Sequence, residues 1–258
     1  QVLALALTEQ TYGWEPEAVH LTAKAGRGGF VLDGLKLFVQ DAVGATHLIC
    51  AARTGRGADP AKNITLFLVD KLAPGVSVRP LPGFVAQAGE VKLESAVLPR
   101  SSVLGEVGGG WPTLERAIEK AIPVLCAYKV GACQALFDIS VAYSQTRVQF
   151  GVPIGRFQRV ADHIIDIANN MDAARLATYE ALWKLDTGKP ATTSVHVAKA
   201  VSSDAYNQAC TSAHSVHGGI GYSREFGLIL HTKMSRTLYH QLGDPRHHQR
   251  RLASLLGF

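Results

Sequence analysis

With 258 residues, 47% hydrophobic and 18% charged, the chain is long enough for one large or two medium domains with real cores. Its net charge of +5 is modest, and charges or glycines interrupt every apolar run before the about 20 residues of a membrane span, so none is expected. The opening residues, QVLALALTEQ, lack the basic stretch and small-residue cleavage site of a secretory leader. Cys50, Cys126, Cys133 and Cys210 show no metal-ligand spacing, and Cys126 and Cys133 fall in an apolar helical stretch as buried thiols would. No bound metal and a reduced, cytoplasmic protein are expected. The densest basic stretch, Arg246 to Arg251, has no interleaved aromatic and reads as a solvated helix face rather than a nucleic-acid patch. It leaves an anionic ligand or an acidic partner open.

The first hundred or so residues are strand-like. Gly29 to Gly34 and Leu35 to Val39 read as two short strands joined by a tight Asp33-Gly34 turn. His47 to Ala52, Ile64 to Val69 and Val76 to Val78 continue the pattern, and Gly89 to Pro99 supplies another strand or two. Short strands at this spacing predict a small antiparallel sandwich or barrel-like domain. The character changes at Gly108-Gly109-Gly110-Trp111. Beyond it apolar residues recur at helical spacing, and Phe157, Val160, Ala161, Ile164, Ala168 and Met171 form one stripe. Helices are predicted at 112–147, 156–187, 191–214 and 225–241, broken at Gly151-Val152-Pro153 and Gly188-Lys189-Pro190. Four such helices make a bundle. The class is therefore α+β, with a β-domain over 1–107 and a helical bundle over 108–258.

Three segments carry chemistry. They are Leu7-Thr8-Glu9 with the residues before it, Arg147 to Gly151 followed by Phe157-Gln158, and His217 to Tyr222 followed by Glu225. Each has a bland reading alone. A Thr-Glu pair ends many strands, an arginine with a nearby glycine suits a helix C-terminus, and Gly-Gly-x-Gly is a common connector without the strand-turn-helix context of a dinucleotide fingerprint.

Together, in this order on a β-then-helical chain, the segments resemble the acyl-CoA dehydrogenase family over essentially the whole chain. The family begins with a further helical domain that finds no counterpart here, so a truncated chain is expected. The resemblance implies an FAD-dependent α,β-dehydrogenation of an acyl-CoA thioester, in which a glutamate takes the α-proton and the flavin takes a hydride. It implies that Arg147 contacts the FAD pyrophosphate of a neighbouring subunit. Phe150 and Gln158 would line the same adenosine-diphosphate portion, and Gly218 and Gly219 would let the backbone approach it closely. Leu7, Thr8 and Phe38 would face the chain's own flavin.

The sequence departs from the family at the catalytic carboxylate. The resemblance places it at Leu242, before Gly243, or at Ala121 on the first long helix; both are apolar. Glu119 is two residues from Ala121, a rotation of about 200° along a helix, so it should face away. Asp244 is the nearest acid to Leu242. Contacts to the subunit's own FAD are altered at Gln10, Trp14, Phe38, Gln40, Asp244 and Arg246. Those to the neighbour's FAD are kept at Arg147, Phe150, Gln158 and Gly219, with Ser215 in place of a usual glutamine. The asymmetry suggests a subunit that completes a partner's site in an α2β2 heterotetramer, as in bacterial steroid side-chain degradation. A homotetramer remains open, as do a self-sufficient dehydrogenase using Asp244 or Glu225, a flavin monooxygenase of the same fold, and a non-enzymatic assembly subunit.

Overall fold

Short apolar-rich runs separated by glycine, proline and polar residues build eight strands in the first unit, Gln1–Ala117. The computed structural model describes residues 1–83 and 87–258. The strands are β1 (Leu3–Ala6), β2 (Thr22–Gly26), β3 (Gly29–Gln40), β4 (His47–Arg53), β5 (Ile64–Asp70), β6 (Val76–Leu81), β7 (Ala88–Pro99) and β8 (Val103–Leu104). They form one sheet in the order β6-β7-β3-β2-β4-β5-β8, with β1 paired to β4. Most pairings are antiparallel as expected, but β1 and β2 each run parallel to β4. Leu32, Leu48, Phe67, Val91, Leu93 and Ala96 fill its core, where Phe30 and Phe67 meet edge to face.

The turn expected at Asp33-Gly34 does not exist. β3 is one strand of 12 residues paired along its length with β7. The Asp33 carboxylate accepts from Ser95 N at 2.7 Å, which ties it across the sheet instead of closing a turn. Gly34 absorbs a register shift with φ 149, and a Cβ there would lie 2.8 Å from the Leu21 side chain. Long-range pairing overrides a local turn signal.

The second unit, Ile118–Phe258, is helical. The helices are α1 (Gly110–Thr146), α2 (Gln158–Asp186), α3 (Thr192–His217), α4 (Leu228–His240) and α5 (Pro245–Leu255). The four predicted helices fall where periodicity placed them, and α5 carries the basic stretch Arg246 to Arg251 that read as a helix face outside those four. The buried line of α2 is Ile167, Met171, Ala174, Thr178 and Ala181, rotated from the stripe read in the sequence, most of which is half-buried. One apolar cluster joins Cys133, Leu136, Ile167, Met171, Tyr206 and Leu228; another joins Ile122, Cys126, Ala181, Val195 and Ala198.

One expectation about membranes needs correction. By length and composition α1 is apolar enough to cross a bilayer, with a mean hydropathy of 1.4 over its best window. Its glycine and its scattered charges do not lower the average enough. Ile122, Cys126, Val130, Cys133 and Leu136 of this helix nonetheless serve the buried clusters of the helical unit. All four cysteines are buried free thiols. Burial pushes Cys50 and Cys210 up to about 11 and Cys133 up to about 12.

Candidate functional site

In the β-unit the chain leaves β1 into Leu7, Thr8 and Glu9. Thr8 Oγ1 donates to Leu37 O at 2.5 Å, and Leu37 N donates to Thr8 O at 2.8 Å. The Thr8 hydroxyl is thus spent on β3. Glu9 is buried, and Oε1 accepts from Lys36 Nζ at 2.7 Å and Leu21 N at 3.0 Å, while Oε2 accepts from His20 N at 2.9 Å. Lys36 Nζ also donates to Leu7 O at 3.0 Å. A carboxylate with this many donors anchors the loop and is no general base.

Phe38 sits at a second register shift of β3 with φ 56 and is 46% exposed. Bulges re-aim side chains in this way. Tyr12, itself at φ 51, meets Phe38 edge-on at 5.4 Å and Trp14 at 6.3 Å. Trp14 Nε1 is buried with no hydrogen-bond partner among the described residues, and the Gln40 amide turns back on Phe38 O at 3.4 Å. Leu7 and Thr8 are thus tied to Lys36 and Leu37 of β3, while Phe38 next along the strand packs with Tyr12, which also meets Trp14.

In the helical unit Arg147 follows the last turn of α1. Its N donates to Tyr143 O at 2.9 Å, and Ile154 N donates to its carbonyl at 2.8 Å. Between them lies a small antiparallel hairpin, β9 (Val148–Gln149) and β10 (Val152–Pro153). Phe150 stands at its tip with φ 51, 93% exposed and edge-on to Phe157. Gln158 opens α2 and donates to Asp162 at 2.8 Å. The exposed Arg147 guanidinium has no ion pair among the described residues.

Gly218, at φ 59, ends α3 and starts a 3-10 turn, Gly218–Tyr222. An added Cβ at Gly218 or Gly219 would find nothing within 4 Å. Both glycines border a concavity of about 570 Å³, lined also by Asn207, Thr211 and Ser215 of α3 and Arg236 of α4. Backbone amides, hydroxyls and one guanidinium suit an anionic, oxygen-rich ligand. Arg147, Phe150 and Gln158 do not line it and stand around the hairpin. Asn207, Thr211 and Arg236 were not singled out in the sequence. The spacing of Asn207, Thr211 and Ser215, four residues apart on one helix face, was the available signal.

Neither position for a base carries a free carboxylate. Ala121 is exposed on α1, and Glu119 accepts from Thr192 Oγ1 at 2.6 Å. Leu242 lies at φ 57 with its side chain packed against the Ile122 and Cys126 cluster. Asp244 caps α5, accepting from His247 N at 2.7 Å. Glu225 is exposed. The turn that holds Leu242 is instead gripped by bases. Lys199 Nζ donates to Gly243 O at 2.6 Å and to Tyr239 O at 3.2 Å, and His248 Nε2 lies 2.9 Å from Leu242 O. Lys129 Nζ donates to Ser203 Oγ at 2.7 Å. Both lysines are buried with no salt bridge among the described residues, and burial pushes Lys129 down to about 8 and Lys199 well below the usual lysine range.

A mixed β-sheet unit followed by a helical bundle, with a glycine-bordered concavity at the end of the third helix, is the frame of a known class of flavoprotein. The family model for the acyl-CoA dehydrogenase middle domain matches residues 4–94, and that for the acyl-CoA dehydrogenase C-terminal domain matches residues 108–251. The chain belongs to the acyl-CoA dehydrogenase family. It is 30% identical over 230 residues to a 3-(aryl)acrylate reductase of Clostridium sporogenes, covering 88% of this chain and 61% of that one. It is 29% identical over 235 residues to a short-chain specific acyl-CoA dehydrogenase of Megasphaera elsdenii, covering 89% of this chain and 61% of that one. Among solved structures, the FAD complex of PigA is 28% identical with a TM-score of 0.94, over 99% of this chain and 67% of that one. The chain thus spans about three fifths of the length of these two curated relatives.

Proposed function

We propose that this chain is a subunit of an FAD-dependent dehydrogenase acting on an acyl-CoA thioester, and that it completes the FAD site of a partner subunit rather than running one of its own. The carrying observation is a contrast within the helical unit. The concavity at Gly218 and Gly219 is open and cationic, while every acid near the two base positions is committed elsewhere or turned to solvent.

The helical unit fits the diphosphate end of FAD. Arg147 has no competing ion pair among the described residues, Arg236 borders the concavity, and the two glycines leave room for a phosphate against the backbone. The β-unit fits the chain's own flavin poorly, because the Thr8 hydroxyl and the Trp14 indole N–H are both withdrawn. FAD, held chiefly by a glutamate-bearing partner, would accept the hydride, and the partner's carboxylate would take the α-proton. This chain would hold the adenosine-diphosphate portion through Arg147, Phe150, Gln158, Gly218 and Gly219.

Co-expression with a glutamate-bearing family member tests the proposal. An active α2β2 complex with about one FAD per heterodimer is expected, with flavin and activity both lost on Arg147→Ala. A well-behaved homotetramer with one tightly held flavin per chain would overturn it.

A further inference from the structure

The basic cluster behind Gly243 is not used by the proposed function. His196 on α3 and His248 on α5 face each other with Nδ1 to Nδ1 at 2.8 Å, and both rings are buried. The other nitrogen of His248 lies 2.9 Å from Leu242 O, which only accepts. That nitrogen therefore carries a hydrogen, so a neutral His248 presents a bare Nδ1. His196 must then donate from its own Nδ1. The two neutral rings hold opposite tautomers, and only one arrangement satisfies all three atoms.

This pair is a large part of what seats the last helix. α5 has 11 residues, too few to hold a helix alone, and among them only Pro245 and His248 are buried. One added proton fits on Nε2 of His196, which leaves its Nδ1–H donating to His248 and adds only one charge. A second added proton sets N–H against N–H at 2.8 Å and leaves no satisfied arrangement. The charged groups around the rings do not help. Lys199 on α3 and His247 and Arg251 on α5 are basic, Lys129 on α1 lies behind Lys199, and the Asp244 carboxylate is occupied by His247 N.

We propose that the His196–His248 pair is a proton-sensitive latch: with both rings neutral it seats α5 and the turn 242–244 on α3, and proton uptake releases them while the rest of the helical unit stays folded. Burial, before any charge, holds His248 down to about 2 and His196 down to about 4 in the closed form. In the open form both return to the ordinary imidazole range near about 6.5. The closed form thus loses stability as pH falls below that value, about tenfold per pH unit for each ring that takes a proton.

Hydrogen–deuterium exchange of the full chain from pH 7 to pH 5, corrected for intrinsic rates, tests the latch. Peptides covering 241–256 should lose protection by at least about tenfold between pH 6 and pH 5, while those of α1 to α3 do not. The double variant His196→Asn with His248→Gln keeps an amide donor at each position without a titrating ring, and should stay protected at pH 5. Acid loosening of α5 that persists in the folded double variant, or that spreads evenly over α1 to α3, overturns the proposal. Ring 15N shifts of the natural protein at pH 7 give a reading that needs no variant. Two neutral rings of opposite tautomer support the latch, and a cationic ring or matching tautomers overturns it.

Discussion

Replacing Lys129 by Met should stabilise the protein at neutral pH, by an amount that shrinks in mild alkali. Lys129 is 1% exposed and donates to Ser203 Oγ at 2.7 Å. Burial brings its pKa down to about 8, against about 10.5 for a free lysine. At pH 7 the amine is charged in both states, so the folded state carries a penalty of about 3 kcal/mol. Between about pH 8 and pH 10.5 the unfolded chain keeps a proton that the folded chain has released, so stability rises with pH there. By pH 9 the penalty has fallen to about 2 kcal/mol. Methionine keeps the stem and loses the charge at the expense of one hydrogen bond worth about 1 kcal/mol, so Lys129→Met should gain about 2 kcal/mol at pH 7. Urea midpoints at pH 7, 8 and 9 measure both effects. The buried thiols, raised by burial, act in the opposite direction over the same range, but both proteins carry them, so the variant is compared with the natural protein at each pH. Loss of more than about 1 kcal/mol in the variant at pH 7, or an advantage over the natural protein that does not shrink from pH 7 to pH 9, would refute the reasoning.

Three further substitutions follow from the geometry. Lys36→Met leaves the buried Glu9 carboxylate with backbone donors alone and should cost about 3 kcal/mol in urea unfolding, recovered in part by pairing it with Glu9→Gln. Gly219→Ala meets no neighbour within 4 Å, so its unfolding midpoint should stay within about 0.5 kcal/mol of the natural protein. Flavin retained by the complex with a partner subunit should nonetheless fall, and unchanged retention would remove Gly219 from the proposed site. Gly243→Ala combines φ 92 with a Cβ 2.7 Å from both His247 and His248, and should cost about 2 kcal/mol or more while exposing α5 to protease.

Much of the architecture was legible because it rests on repetition. The continuous apolar runs His47 to Ala52 and Ile64 to Val69 and the helical spacing after residue 112 extend over enough residues to outweigh local exceptions. Asp33-Gly34 was misread because a two-residue turn signal carries no knowledge of β7 lying alongside. α5 was legible only in part: Arg246 to Arg251 read as a helix face, but no helix range was assigned there, because Asp244-Pro245, an N-cap followed by proline at the first helical position, also reads as a break. The glycine and arginine motifs, of which only the glycines border the concavity, were legible as residue types at fixed spacing. Arg236 and Asn207 were not, because a polar residue on a helix looks the same whether it faces water or a concavity. Lys36, Lys129 and Lys199 show the same limit more sharply. A lysine counts as surface until its oxygen acceptors are located, and those come from residues 27 to 74 positions away in the clearest cases.

The four buried thiols turn the chain into its own reporter. Thiolates, not thiols, react with maleimides, and burial both hides these sulfurs and raises their pKa. Labelling at neutral pH can therefore proceed only through opening. Cys50 lies in β4 and the other three in α1 and α3, so mass spectrometry of labelled peptides would time the opening of each unit separately, with no introduced probe. A binding partner that steadies only the helical unit would slow modification of Cys126, Cys133 and Cys210 while leaving Cys50 unchanged.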